Sequence, residues 1–187
     1  MDRAKDNQSP HGGTARILVE FLEVAITSVV FVKGVYPSGA FERRRYMNLV
    51  VHRARHPQLR DYIHTAVWGL LPFIEKGLVE RVAVIFFNTD NNPVERFMFK
   101  LMVNQSYGSK VEEADLEFSL KSFLIKLSVS EPLTRVHSCD AELWIPTDTK
   151  QWEQPPLITP IKSMSSEPLC VQLYLEHPSP IEPKPCQ

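Results

Sequence analysis

At 187 residues, 43% apolar and a net charge of −1, the chain has the size and core content of one domain. Its three cysteines, Cys139, Cys170 and Cys186, show no paired spacing, so neither a disulfide framework nor a zinc site follows from them and a reducing compartment is the default. Charge is uneven: residues 1–60 hold 10 Lys/Arg against 5 Asp/Glu, and residues 61–187 hold 11 against 17. The first third could meet an acidic partner, although a solvated surface is the commoner outcome of such a bias.

Residues 1–10 read as disordered and do not form a signal peptide. Thr14 is a candidate N-cap for a helix to about Lys33. Its polar positions, Arg16, Glu20, Glu23 and Thr27, make one thin stripe. The rest is apolar, so the helix should be wrapped by the protein. The apolar run Ile17–Val32 contains Glu20 and Glu23 and is too short to span a bilayer. Gly34 ends the helix and Tyr36-Pro37-Ser38-Gly39 is a turn. Phe41-Glu42-Arg43-Arg44-Arg45 reads as a loop whose arginines could bind phosphate, with plain solvation as the alternative. A strand follows over Met47–His52. Pro57 suits the first turn of a second helix, Gln58 to Lys76, kinked at Pro72 and capped by Gly77.

The central feature is a β-hairpin from Val79 to Leu101. Val82–Phe87 is apolar on both faces, the pattern of a strand in the middle of a sheet. Asn88 to Pro93 is a turn. After it Phe97, Phe99 and Leu101 point one way and Arg96, Met98 and Lys100 the other. Residues 103–109 are polar. A third helix runs from about Ser109, with a capping box to Glu112, to Ser128. Leu116, Leu120, Phe123, Leu124 and Leu127 form its buried stripe, and Lys121 should be exposed. Beyond it Ser130–Asp140 carries no strand signal, Glu142–Pro146 is a short strand bearing Trp144, and a Pro-rich stretch lacks periodicity. Leu169–Glu176 is a strand with Val171, Leu173 and Leu175 on one face and Gln172, Tyr174 and Glu176 on the other. Residues 178–187 read as an extended Pro-rich tail.

No Gly-rich phosphate loop, G-x-S-x-G elbow or H-E-x-x-H motif occurs. His52 and His56 fall on a strand and the loop after it, a poor metal pair. His64 stands alone on its helix. His137 with Cys139 is a weak nucleophile pair without an orienting third group. A binding protein without catalytic residues, metal or cofactor is the better reading.

The order of elements resembles a HORMA domain, an α+β fold of three helices on a mainly antiparallel sheet with a C-terminal "seatbelt". Residues 21–41, 56–63, 92–99, 122–129 and 161–176 resemble the accessory, non-catalytic HORMA subunit of DNA polymerase zeta in a plant-like version. On that resemblance residues 11–177 are the domain, and about 140–177 the seatbelt. The resemblance implies an adaptor in translesion DNA synthesis, acting in the nucleus. The seatbelt would trap a proline-containing peptide of the polymerase's catalytic subunit, touched by Tyr62 and Trp144. A second surface, matched by Leu157 or Ile158 with Gln172 and Tyr174, would bind the C-terminal domain of a Y-family polymerase. Lys121 matches a basic position of HORMA–HORMA dimers. Neither sequence-specific nucleic-acid binding nor a membrane is implied. The family has a further strand before the seatbelt that the short 130–143 connection lacks, so peptide trapping could be impaired. The rivals are a HORMA adaptor of the spindle checkpoint or meiotic chromosomes, and an enzyme using His137 and Cys139.

Overall fold

The computed structural model describes residues 10–103, 113–129, 152, 154–166 and 169–179. Helix α1 spans Pro10–Val32. It starts four residues before the expected cap, so Thr14 lies inside it, and Pro10 suits a first turn because its missing N–H would have had no helical partner. Leu18, Val19, Phe21, Leu22, Ala25 and Val29 are buried, as the thin polar stripe implied. Thr27 departs from the stripe. It is buried, and its hydroxyl donates to the Glu23 carbonyl at 2.8 Å, which satisfies it without solvent. Gly34 closes the helix at φ +66°, the left-handed cap that glycine adopts without steric cost.

The segment read as an arginine loop is a strand. β1 (Phe41–Tyr46) pairs antiparallel with β2 (Leu49–Ala54). Their connection is Met47 and Asn48, both at positive φ, a primed hairpin turn. With no glycine in it, the turn left no signal in the sequence. The second helix also differs. It divides into α2 (Pro57–Trp68) and α3 (Leu71–Glu75), because Pro72 has no N–H to continue the ladder and its ring crowds the preceding turn.

β3 (Arg81–Phe87) and β4 (Pro93–Val103) form the expected hairpin. The sheet order, however, is β3-β4-β6-β5. Among the described residues β3 is an end strand and β4 is internal, against the expectation for β3. Its apolar run is only partly covered, since Ala83, Val84 and Ile85 are half-buried while Val82 and Phe86 are buried. Local composition does not separate an edge strand from a centre strand in such a case. Helix α4 covers Glu113–Val129, and the predicted buried stripe is buried throughout. The capping box at Ser109 and Glu112, the strand at 142–146, His137 and Cys139 lie outside the described residues.

β6 (Leu169–His177) matches its prediction. β5 (Leu157–Ser166) corrects the reading of an aperiodic Pro-rich stretch. Pro160 sits in this end strand beside an irregularity between Pro160 and Lys162, where a missing N–H and a bulge are tolerated. The core lies between α1, α4 and the inner face of the sheet. Phe21 meets Phe123 edge-on at 5.9 Å, over Phe97, Phe99, Leu101, Val171, Leu173 and Leu175.

One charge pair lies inside this core. Lys33, directly after α1, pairs with Glu95 of β4, both side chains at 1% exposure or less, and its ammonium stands 5.5 Å from the Phe86 ring centroid. The pair ties the carboxyl end of α1, where a cation is favoured, to the central strand. Removing one partner strands the other charge, so Lys33→Ala or Glu95→Ala should each cost about 3–5 kcal/mol. Urea unfolding checks this, and the Lys33→Met/Glu95→Leu double variant should recover most of the loss.

Candidate functional site

Two surfaces collect the residues that the sequence singles out. The first is the flank of α2. Ile63 and Val67 anchor this helix in the core and leave Tyr62 beside them 37% exposed. The Tyr62 phenol is held above its ordinary pKa, first by burial and then by the neighbouring Tyr36. Tyr36, equally exposed, lies in the turn after α1. The two tyrosines thus form one patch, which the sequence reading did not assemble because 25 residues separate them. The Glu23 carboxylate of α1 fixes the helix behind the patch. Its Oε2 accepts from Trp68 Nε1 at 2.8 Å and meets His64 Nδ1 at 3.0 Å. His64 therefore has a structural contact with α1. Trp144, the other expected peptide contact, lies outside the described residues.

The second surface is the outer face of the four-stranded sheet. Pairing register puts Ile158 opposite Glu176, Pro160 opposite Tyr174 and Ser163 opposite Gln172. Paired residues share a face, so Ile158, Gln172 and Tyr174 stand together. Leu157 pairs with His177 and so falls on the other face of the strand. Tyr174 is half-buried and Gln172 exposed. Burial and Glu176 hold the Tyr174 hydroxyl above its ordinary pKa, and Arg81 works against them. A phenol beside an amide on an open strand face offers contact area with donors and acceptors, the composition of a protein interface.

One end of that face carries a cluster that sequence reading missed. Trp152 lies over Arg96, with the guanidinium carbon 4.7 Å from the ring centroid. Its indole N–H donates to Glu176 Oε2 at 3.0 Å. Arg96 is 6% exposed, and its Nη1 is 3.8 Å from Glu176 Oε2. Burial holds the Arg96 pKa below its ordinary value, and Glu176 opposes that. The cluster pins the chain entering β5 onto the β4–β6 pair. Alternation alone places Arg96 and Glu176 on the outer face. What it could not supply was Trp152, which sits in a stretch without periodicity.

On α4, Lys121 is half-buried, not exposed as expected. Its neighbours on the outer side are apolar: Phe118 is 76%, Ile125 48% and Val129 69% exposed. These lie seven and four residues apart and form a stripe on one helical face. No group of His, Cys, Asp or Glu able to hold a metal occurs among the described residues.

The HORMA domain family matches residues 15–149. A relative in Arabidopsis thaliana, the DNA polymerase zeta processivity subunit, is 61% identical over 98% of this chain and 94% of its own length. That alignment spans 203 residues, so the relative carries residues with no counterpart here. The human mitotic spindle assembly checkpoint protein MAD2B is 31% identical over 87% of this chain and 90% of its own. A chain of the mitotic checkpoint complex shares the fold, with a TM-score of 0.73, 16% identity and coverage of 89% and 99%.

The Trp152 cluster predicts a graded response. Trp152→Ala loses the cation–π contact and the bond to a carboxylate, and stability should fall by about 2–4 kcal/mol. Trp152→Phe keeps the ring and should lose less than half as much. Hydrogen exchange at Leu175–His177 should quicken in the same order.

Proposed function

The chain belongs to the HORMA-domain family, and from that membership we propose that it serves as the accessory, non-catalytic subunit of DNA polymerase zeta in translesion DNA synthesis. The observation that carries the proposal is 61% identity to the Arabidopsis processivity subunit over nearly the whole chain. The work is adaptor work in the nucleus: holding one polymerase chain and presenting it to another.

The C-terminal segment, about 140–177, is the clasp. Its β5–β6 hairpin is zipped along β4, and a proline-containing peptide of the catalytic subunit lies beneath the chain that leads to it. Rigid prolines lose little freedom on binding and pack well on aromatic faces. Tyr62, with Tyr36 beside it, supplies one such face, and Trp144 is assigned the opposite side. Segment closure around a peptide slows its escape more than its entry. A relative longer than this chain over the aligned region is consistent with a shortened connection before the clasp, and with a looser hold on the peptide. Ile158 or Leu157, with Gln172 and Tyr174, takes the C-terminal domain of a Y-family polymerase. Lys121, flanked by the apolar stripe of α4, joins two HORMA domains.

Each surface has its own test. Tyr62→Ala should weaken binding of the catalytic-subunit peptide by about 1–3 kcal/mol in calorimetry; an unchanged affinity removes this face from the site. Tyr174→Ala should reduce binding of the Y-family domain and leave the peptide bound. Loss of both in a variant with an unaltered circular dichroism spectrum contradicts two separate surfaces. Peptides from spindle-checkpoint and meiotic partners form the control panel, and tighter binding of one of these than of the polymerase peptide would assign the chain to that pathway instead.

A further inference from the structure

The β1–β2 ribbon concentrates positive charge that the adaptor surfaces leave unused. Arg43, Arg44 and Arg45 on β1, Arg53 on β2 and Arg55 just after it are all exposed. Among the described residues, Glu42 is the one carboxylate in ion-pair reach of them, 2.8 Å from Arg44 Nε. The carboxyl of Glu42 is held below its ordinary pKa by its hydrogen bond to Arg44 and by the charges of Arg44, Arg53 and Arg55. Three guanidinium groups therefore converge on one acid, and Arg43 and Arg45 remain outside that grouping. Successive strand residues face opposite ways, so Arg43 and Arg45 share one face of the ribbon and Arg44 and Arg53 the other.

The array is rigidly mounted. Phe41, Val51 and Ala54 are buried. Phe31 of α1 stacks on His52 at 3.6 Å and meets Phe41 edge-on at 5.3 Å. The Arg55 N–H donates to the Ala40 carbonyl at 2.8 Å and extends the ladder. Like charges held this close repel one another, and the whole chain has a net charge of only −1. A dense anion relieves that repulsion. Guanidinium groups are charged at any working pH and match phosphate oxygens in pairs.

The geometry points to the edge of β1 that no strand pairs with among the described residues, flanked on both faces by these long arginine side chains, as a contact strip for the phosphate backbone of duplex DNA, without base reading. Duplex DNA is favoured over a single strand. Its two strands together present a charge about every 1.7 Å of axis, whereas single-strand sites add exposed aromatic rings on which bases stack. Here Phe41 is buried and Tyr46 half-buried. A flexible acidic peptide would have to lose its own freedom to line up along a fixed strip.

The test is fluorescence anisotropy of the full chain with a mixed-sequence DNA duplex across a series of low salt concentrations. Binding should weaken steeply with salt, insensitive to sequence. Arg43→Ala/Arg45→Ala should flatten the log–log salt slope by about 0.9 for each arginine that touches a phosphate, while Arg43→Lys/Arg45→Lys should keep it. The inference is overturned if the wild-type chain gives no salt-dependent binding, or if the alanine variant keeps the full slope. Loss of binding in the lysine variant also overturns it, as does tighter binding to polyglutamate or to a single strand of the same sequence. None of these outcomes bears on the polymerase-subunit proposal, whose readouts are protein binding.

Discussion

Antiparallel pairing of β4 with β6, from Arg96–Glu176 to Val103–Leu169, is the constraint on which both the core and the outer surface rest. It brings Val171, Leu173 and Leu175 under α1 and α4, where each is buried. Burial of such side chains is worth about 1.5–3 kcal/mol each, so the C-terminal hairpin is part of the core and not an appendage. The same register turns Gln172 and Tyr174 outward and gives β5 a strand to pair with. A slip of one residue would exchange the two faces, so the packing of three aliphatic side chains also determines which residues a partner could meet.

The parts of this arrangement that were legible in the sequence are those written in local periodicity. The wrapped helix α1, the buried stripe of α4, the hairpin around Asn88–Pro93 and the alternation of β6 all follow from spacing and turn chemistry. The misses share a different cause. The Met47–Asn48 turn has no glycine, so β1 looked like a loop. β5 contains Pro160 and a register shift, which masked its alternation. β3 looked central because hydrophobicity reports burial but not which neighbour provides it. The clusters at Glu23 and Arg96 join residues far apart in the chain, and Trp152 becomes legible only once β4 and β6 are side by side. Of the candidate site, the outward pair Gln172 and Tyr174 could be read directly. The Tyr36–Tyr62 patch could not.

Buried charge recurs at the places where elements must meet in one way only. Lys33 and Glu95 join the end of α1 to β4. Arg96 and Glu176 join β4 to β6 under the ring of Trp152. Such pairs gain little net energy over an apolar replacement, because desolvation consumes the attraction. Arg96 Nε and Nη2 are buried without a hydrogen-bond partner among the described residues, a cost that the buried Tyr46 hydroxyl and Glu95 Oε1 share. What these groups add is discrimination, since a shifted arrangement would leave each charge facing hydrocarbon.

The strand order β3-β4-β6-β5 also has a consequence for biosynthesis. β4 leaves the ribosome well before β6, with α4 and β5 in between. At about 5–20 residues per second, the growing polypeptide waits roughly 4–15 s with one flank of its middle strand uncovered. That flank offers unpaired amides and carbonyls beside Phe97 and Phe99, a template for unwanted association with other nascent chains. A chaperone that shields this flank during translation would act at the molecule's most vulnerable moment, before the finished sheet hides it.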